Sequence, residues 1–181
     1  VCRPSRESHT FQTIRQMGLE CIGAVDAAVQ AEAVGLAMQS LAALGVATVL
    51  EISHMGFVTG LLDALNIEPA ARGRLLEYLR GKNGHELRRA AEKFGLSAAA
   101  ADSLCGLLAL HGTPAEVLPQ AETCCLCEAQ RTALTELRQL LDTLPPQGCE
   151  LRLDLSMADE MDYYNGLVFT GYAAGIPCAV L

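Results

Sequence analysis

Hydrophobic periodicity divides this chain of 181 residues into helical and extended stretches. Over residues 26–44 the apolar positions recur every three or four residues, which predicts a helix with an N-cap at Asp26 and a stop at Gly45. Residues 47–53 then predict a strand, and residues 54–65 predict a second helix with its apolar side chains turned inward. The beginning of the chain therefore mixes strand and helix.

A run of short helices with distinct start and stop signals fills residues 66–147. Ser97 is predicted to cap a helical run that continues through Leu110. Residues 113–116 form a capping box with proline at the first helical position. A last helix is predicted over about residues 128–144, where two prolines end it.

Extended segments are predicted near both ends of the chain. Residues 14–22 predict a strand on which Gln16 and Glu20 share one face, because side chains alternate with a period of two. A glutamine and a carboxylate on one face can hold an amino group and a ring nitrogen, or the face can simply be turned to water. Periodicity leaves both open. Residues 168–172 and 176–181 predict two further strands.

A polar, aromatic turn precedes the strand at 168–172. Asp159, Glu160, Asp162, Tyr163 and Tyr164 lie close together in a chain with only four tyrosines and no tryptophan. Such a cluster is either a ligand site or a solvated turn at the mouth of a strand, and the residues alone do not decide between them.

Composition places the chain among globular proteins, with 51% hydrophobic and 19% charged residues. No apolar run approaches the roughly 20 residues that cross a bilayer, and no signal peptide is visible, so we expect a cytoplasmic protein without a membrane partner. The net charge of −8, with basic residues interleaved among glutamates, predicts no nucleic-acid partner. Val1 is not a start residue and Leu181 ends a predicted strand, so we expect a piece of a longer protein.

The cysteines and histidines predict no metal or cofactor site. Of eight cysteines, only Cys124, Cys125 and Cys127 cluster, and they lack a second pair of ligands at metal-binding spacing. We expect reduced thiols there. His54 has no neighbouring nucleophile with an orienting acid in the sequence, so it is predicted to be a structural histidine at a helix start.

Two segments resemble the histidyl-tRNA synthetase family. The segment MDYYNGLVF resembles the family's histidine-recognition segment, and QMGLECIG is similar to the stretch that follows motif 2. The resemblance implies that Gln16, Glu20, Asp162, Tyr163 and Tyr164 form a histidine-binding pocket.

The same resemblance implies a fold and a division of the chain. The fold would be α+β, with a class II aminoacyl-tRNA synthetase-like antiparallel sheet flanked by helices. Residues 1–65 and 148–181 would form the first and second parts of the synthetase-like core. Residues 66–147 would be an α-helical insertion between them.

The chain departs from the family at positions that handle ATP. Asp159 stands where the family has its catalytic arginine, and Glu160 stands where it has glycine. Ser5 and Thr10 occupy two further positions at which the family carries ATP-handling residues. Positively charged side chains aimed at the reacting phosphate supply much of the catalysis of adenylate formation. These departures therefore predict a protein that does not catalyse adenylate formation.

Three functions of different classes follow from these observations. The first is a non-catalytic paralogue that serves as the regulatory subunit of the short-form ATP phosphoribosyltransferase of histidine biosynthesis. The second is a working histidyl-tRNA synthetase, and the third is a helical scaffold whose likeness is accidental. The sequence favours the first, which implies the catalytic subunit as partner, a homo-oligomer within a hetero-oligomer, and histidine as an open candidate ligand.

Overall fold

The computed structural model describes residues 2–4, 11–13, 17–145, 148–157 and 166–181. Within these ranges the chain forms six strands and seven α-helices, as the α+β prediction expects. In chain order they are β1 (Cys2–Pro4), β2 (Phe11–Thr13), α1 (Ala27–Ala42), β3 (Thr48–His54), α2 (Met55–Ala64), α3 (Pro69–Arg80), α4 (Gly84–Lys93), α5 (Ala98–Gly106), β4 (His111–Gly112), α6 (Pro114–Thr123), α7 (Glu128–Thr143), β5 (Glu150–Asp154) and β6 (Leu167–Ala173).

The strands form two sheets. Strands β1 and β2 pair as an antiparallel hairpin, and a four-stranded sheet has the order β4-β5-β3-β6. The larger sheet is mixed, since β3 runs antiparallel to β6 but parallel to β5. The class II synthetase-like sheet is predicted to be antiparallel, and this one parallel pair is an addition to that pattern. The chain leaves β3 through helices α2 to α7 before it returns as β5, and such a long crossover can bring a strand back in the same direction.

The helices predicted over residues 26–44, 54–65 and 128–144 are confirmed, as are the caps predicted at Asp26, Ser97 and Thr113. Asp26 accepts a hydrogen bond from the Val29 amide at 3.0 Å at the start of α1. Glu116 accepts from the amide and hydroxyl of Thr113, which completes the predicted capping box of α6.

One predicted helical run is too long. Helix α5 ends at Gly106, and residues 107–109 tighten into a 3₁₀ turn instead of continuing the α-helix to Leu110. The reason is sheet pairing, because the Leu110 carbonyl accepts from the Leu155 amide at 2.9 Å and β4 pairs with β5 immediately afterwards.

Two predicted strands are wrong. Residues 17–26 are irregular and exposed, with Met17 at 96% and Ile22 at 94% of their maximal accessibility. No strand in the described part of the chain lies beside residues 17–22, so their backbone lacks a ladder partner there. Residues 176–181 also form no strand, although Val180 and Leu181 exchange isolated backbone hydrogen bonds with Gly171.

The core lies on one face of the larger sheet. Leu50 and Ile52 of β3 and Leu153 of β5 are buried in one hydrophobic cluster with side chains of all seven α-helices. Helix α7 packs against α1 and α2, so side chains from the predicted insertion at 66–147 share this cluster with residues on either side of it. The division into three parts stays a prediction. No helix in the described ranges combines the length and hydrophobicity needed to cross a membrane.

The contact between β6 and α1 yields a stability prediction. A Cβ added at Gly171 would lie 2.8 Å from the Leu181 Cβ and 2.9 Å from the methyl carbons of Leu41. Gly171→Ala should therefore overpack this contact and lower the free energy of unfolding by about 1–3 kcal/mol in urea titrations.

Gly73→Ala is the matched control. Gly73 lies within α3, and a Cβ there meets nothing within 4 Å, so alanine should raise the free energy of unfolding by about 0.5–1 kcal/mol. A Gly171→Ala protein as stable as the wild type would contradict the close approach of β6 to α1.

Candidate functional site

Polar side chains occupy the sheet face opposite the core. Because strand residues alternate between faces, the neighbours of the buried Leu50, Ile52 and Leu153 point away from the helices. We call this surface the polar face. Its polar residues are Glu51, Ser53, Glu150, Arg152, Asp154 and Thr170, and the strand register places Val49, Val168 and Tyr172 on the same face. Glu51 sits at its centre, in register with Arg152 on one side and Thr170 on the other.

A buried carboxylate anchors one end of the polar face. Asp154, the last residue of β5, is only 7% exposed and accepts hydrogen bonds from the Lys82 ammonium at 2.6 Å and from the amide and hydroxyl of Ser156 at 3.0 and 2.6 Å. Burial alone would raise the pKa of Asp154, but the hydrogen bonds from Lys82 and Ser156 outweigh it and hold that pKa below its usual value.

The Lys82 ammonium also donates to the Ser156 hydroxyl, which closes a three-residue network. A serine beside a lysine can act as a nucleophile and its base. Here Ser156 is completely buried and its hydroxyl donates to Asp154, so the arrangement is a structural network.

The centre of the polar face carries a second desolvated carboxylate. Burial, followed by the nearby Asp154 carboxylate, raises the pKa of Glu51, while Lys82, Arg152 and His111 act in the opposite direction. Arg152 is engaged at 2.7 Å with Glu150 of its own strand. Among the described residues, the carboxylates of this face, Glu51, Glu150 and Asp154, outnumber the cations Lys82 and Arg152, and both of these cations are already paired.

Met157 reaches across the polar face. Its amide donates to the Asp154 carbonyl at 3.1 Å, and its sulfur accepts from the Thr170 hydroxyl at 4.0 Å, on the far side of β3. Ser53 of β3 is completely buried, and its hydroxyl has no hydrogen-bond partner within the described residues.

His54 belongs to the opposite face, as a structural histidine. Its Nδ1 accepts from the Gly56 amide at 3.1 Å and so caps α2, which leaves the proton on Nε2 to donate to Glu136 of α7 at 2.8 Å. The prediction of a structural histidine at a helix start is confirmed.

The structure describes one of the five predicted histidine-binding residues. Glu20 lies in the irregular segment 17–26, exposed and without a hydrogen bond or ion pair to any residue in the described ranges. The other predicted residues, Gln16, Asp162, Tyr163 and Tyr164, lie outside the described residues, as do Asp159 and Glu160. Their shared pocket stays a prediction.

The described residues that flank segment 158–165 do lie at the polar face. Met157 follows β5, and Gly166 precedes β6, where its carbonyl accepts from the Met55 amide at 2.7 Å. Strands β5 and β6 lie on opposite sides of β3, about 10 Å apart at the usual strand spacing. Residues 157 and 166, which flank the segment that the structure does not describe, thus lie at the same end of the sheet.

The predicted site residues do not include Lys82, Asp154, Ser156, Glu51 and Arg152. The alternation in residues 150–154 was a usable signal, since it separates Leu151 and Leu153 from Arg152 and Asp154. Lys82 gave no local signal, because its partner lies 72 residues further along the chain.

The cysteine cluster joins α6 to α7. Cys124 ends α6 and Cys127 precedes α7, where its thiol donates to the Gly60 carbonyl at 3.4 Å. Cys125 donates to the Ala121 carbonyl at 3.3 Å, and burial raises the pKa of its thiol. No group of three or more metal-binding side chains occurs in the part of the chain that the structure describes. That these thiols bind no metal stays a prediction.

Comparison with known proteins supports the resemblance. The family model described as histidyl-tRNA synthetase matches residues 2–181. A relative from Geobacter sulfurreducens named ATP phosphoribosyltransferase regulatory subunit is 34% identical over 177 residues, which cover 96% of this chain and 40% of that protein. A relative from Methanoregula boonei named histidine–tRNA ligase is 33% identical over 169 residues, which cover 92% of this chain and 38% of that protein.

A solved structure confirms the class II synthetase-like fold. It is titled as an ATP phosphoribosyltransferase regulatory subunit/histidyl-tRNA synthetase from Bacillus halodurans, and it matches with a TM-score of 0.76 at 28% identity. The match covers 87% of this chain and 42% of that one. The chain thus spans about two fifths of the length of the relatives it matches.

The Asp154 network predicts a pH-dependent stability. Because the pKa of Asp154 is lowered in the folded state, its contribution is complete above the ordinary aspartate pKa of about 4 and is lost as the pH falls below it. Asp154→Asn should lower the free energy of unfolding by about 1–3 kcal/mol at pH 7, and the difference from wild type should shrink towards pH 2 in urea titrations.

Asp102→Asn is the matched control, because Asp102 pairs with Arg88 but is 65% exposed and should contribute little. A loss for Asp154→Asn that stays constant from pH 7 to pH 2 would contradict the lowered pKa.

Proposed function

The chain belongs to the histidyl-tRNA synthetase family, and on that premise we propose that the protein containing it is a regulatory subunit of ATP phosphoribosyltransferase without aminoacylation activity of its own. One observation carries the proposal: Asp159 and Glu160 stand where the family pattern has its catalytic arginine and a glycine. The name of the Geobacter relative supports it.

The chemistry of adenylate formation explains why this pair matters. Negative charge builds up on a pentavalent phosphate, and cationic donors aimed at it each contribute roughly 3 kcal/mol or more. A carboxylate in place of an arginine removes that contribution and adds repulsion at the reacting phosphate.

The charge of the polar face supports the same conclusion. Its carboxylates are Glu51, Glu150 and Asp154, while Arg152 and Lys82 are both engaged in ion pairs with two of them. Among the residues that the structure describes, this face therefore offers no unpaired arginine or lysine to a triphosphate.

A working synthetase is the second candidate. The relative from Methanoregula boonei favours it, since that protein is named histidine–tRNA ligase and is 33% identical over 169 residues. The two candidates differ in whether histidyl-adenylate forms.

The regulatory role implies partners. The protein would assemble with the catalytic subunit of the short-form ATP phosphoribosyltransferase, as a homo-oligomer within a hetero-oligomer. Histidine is the proposed ligand, held by Gln16, Glu20, Asp162, Tyr163 and Tyr164. The cytoplasmic location stays a prediction.

The first functional prediction concerns catalysis. Full-length protein should show no histidine-dependent exchange of pyrophosphate into ATP above background, because the reacting phosphate lacks its cationic donors. A histidine–tRNA ligase assayed alongside serves as the positive control. Exchange at a rate comparable to that ligase would establish the second candidate.

The second concerns ligand binding. Calorimetric titration of the full-length protein with histidine should give saturable binding, and Glu20→Ala should weaken it by on the order of 3 kcal/mol because the ligand's buried ammonium group loses its counter-charge. Glu32→Ala changes an exposed glutamate of α1 and should leave the affinity unchanged. Equal affinities for wild type and Glu20→Ala would remove Glu20 from the site.

A further inference from the structure

We propose that Lys82 is a positioning residue that couples the turn between α3 and α4 to the polar face and to ligand binding there. The inference rests on the proposed function for the identity of the ligand, histidine. It concerns residues that the structure describes and that the predicted histidine-binding set does not include.

The backbone of Lys82 is the first observation. Lys82 has a φ of +52°, in the left-handed region that glycine adopts most easily. The corresponding positions after α1, α2 and α4 are Gly45, Asn66 and Gly95, which tolerate that conformation better than lysine does. The strain of a lysine there must be offset by what its side chain contacts.

Those contacts are the second observation. The ammonium crosses from the helical turn to the end of β5, where it donates to Asp154 at 2.6 Å and to Ser156. Both partners are buried, and Ser156 donates to Asp154 through its amide and its hydroxyl. Without the ammonium, the buried carboxylate loses its counter-charge, so the geometry of residues 154–156 depends on Lys82.

The third observation is that Met157 links the Asp154 network to the polar face. Met157 follows the network directly, with its amide bonded to the Asp154 carbonyl and its sulfur 4.0 Å from the Thr170 hydroxyl of β6. The Ser53 hydroxyl, which has no hydrogen-bond partner among the described residues, belongs to the same face. A ligand on this face meets side chains whose placement depends on the Asp154 network.

Coupling of this kind works in both directions. A ligand that favours one placement of Met157 also favours the position of Lys82 in which its ammonium contacts Asp154. If a partner that moves the turn between α3 and α4 changes the affinity for that ligand by some factor, the ligand changes the affinity for the partner by the same factor. Lys82 is about half exposed, which leaves the turn accessible.

The test is a titration of full-length protein with histidine at a temperature where circular dichroism shows every variant to be folded. Lys82→Met should weaken histidine binding at least tenfold, and Lys82→Arg, which keeps a charged donor, should stay within about threefold of wild type. Arg89→Met is the matched control, since Arg89 is an exposed residue of α4 that pairs only with Glu86 among the described residues, and its affinity should not change.

Combination with Asp154→Asn separates positioning from a general loss of structure. If Lys82 acts through Asp154, the double variant should bind about as weakly as the weaker single variant. Losses that multiply, or wild-type affinity in Lys82→Met, would overturn the proposal.

Amide hydrogen exchange distinguishes failure of this inference from failure of the proposed function. If wild-type protein binds no histidine, the proposed ligand is wrong, but Lys82→Met should still speed exchange in peptides covering residues 150–157 and 166–173 more than Arg89→Met does. Equal exchange of the two variants in these peptides, or faster exchange spread evenly over the whole chain, would contradict the coupling.

Discussion

Strand β3 lies between β5 and β6, and both the core and the candidate site are built on it. On one face, Leu50 and Ile52 are completely buried beneath the helices. On the other face, Glu51 and Ser53 line the polar face, and the strand ends at His54, which begins α2 and bonds to α7. Since β5 is parallel to β3 and β6 is antiparallel to it, β5 ends and β6 begins at the same edge of the sheet. Residues of β3 therefore contribute to the core, to the packing of the helices and to the candidate site.

The electrostatics of the polar face follow from this placement. Asp154 is buried at the end of β5 and stays ionised because Lys82 and Ser156 satisfy it, whereas Glu51 is desolvated beside it and its pKa is raised. Lys82 and Arg152 form ion pairs with Asp154 and Glu150, two carboxylates of this face.

Local signals predicted the helices well, because caps and apolar spacing act within a few residues. Asp26, Ser97 and the capping box at Thr113 all lie where the sequence places them. The failures came from long-range pairing. A strand over 14–22 needs a partner that local pattern cannot supply, and the parallel pairing of β3 with β5 depends on the whole intervening crossover. The link from Lys82 to Asp154 likewise joins residues 72 positions apart. Four of the five predicted histidine-binding residues lie outside the described residues, so that set still rests on the resemblance.

We propose that this synthetase-family chain is part of a regulatory subunit of ATP phosphoribosyltransferase. The most direct test is reconstitution of the full-length protein with a short-form ATP phosphoribosyltransferase catalytic subunit, followed by measurement of phosphoribosyl-ATP formation. We expect a stable complex whose activity far exceeds that of the catalytic subunit alone. No complex and no stimulation, together with histidylation of tRNA by the full-length protein by itself, would contradict it.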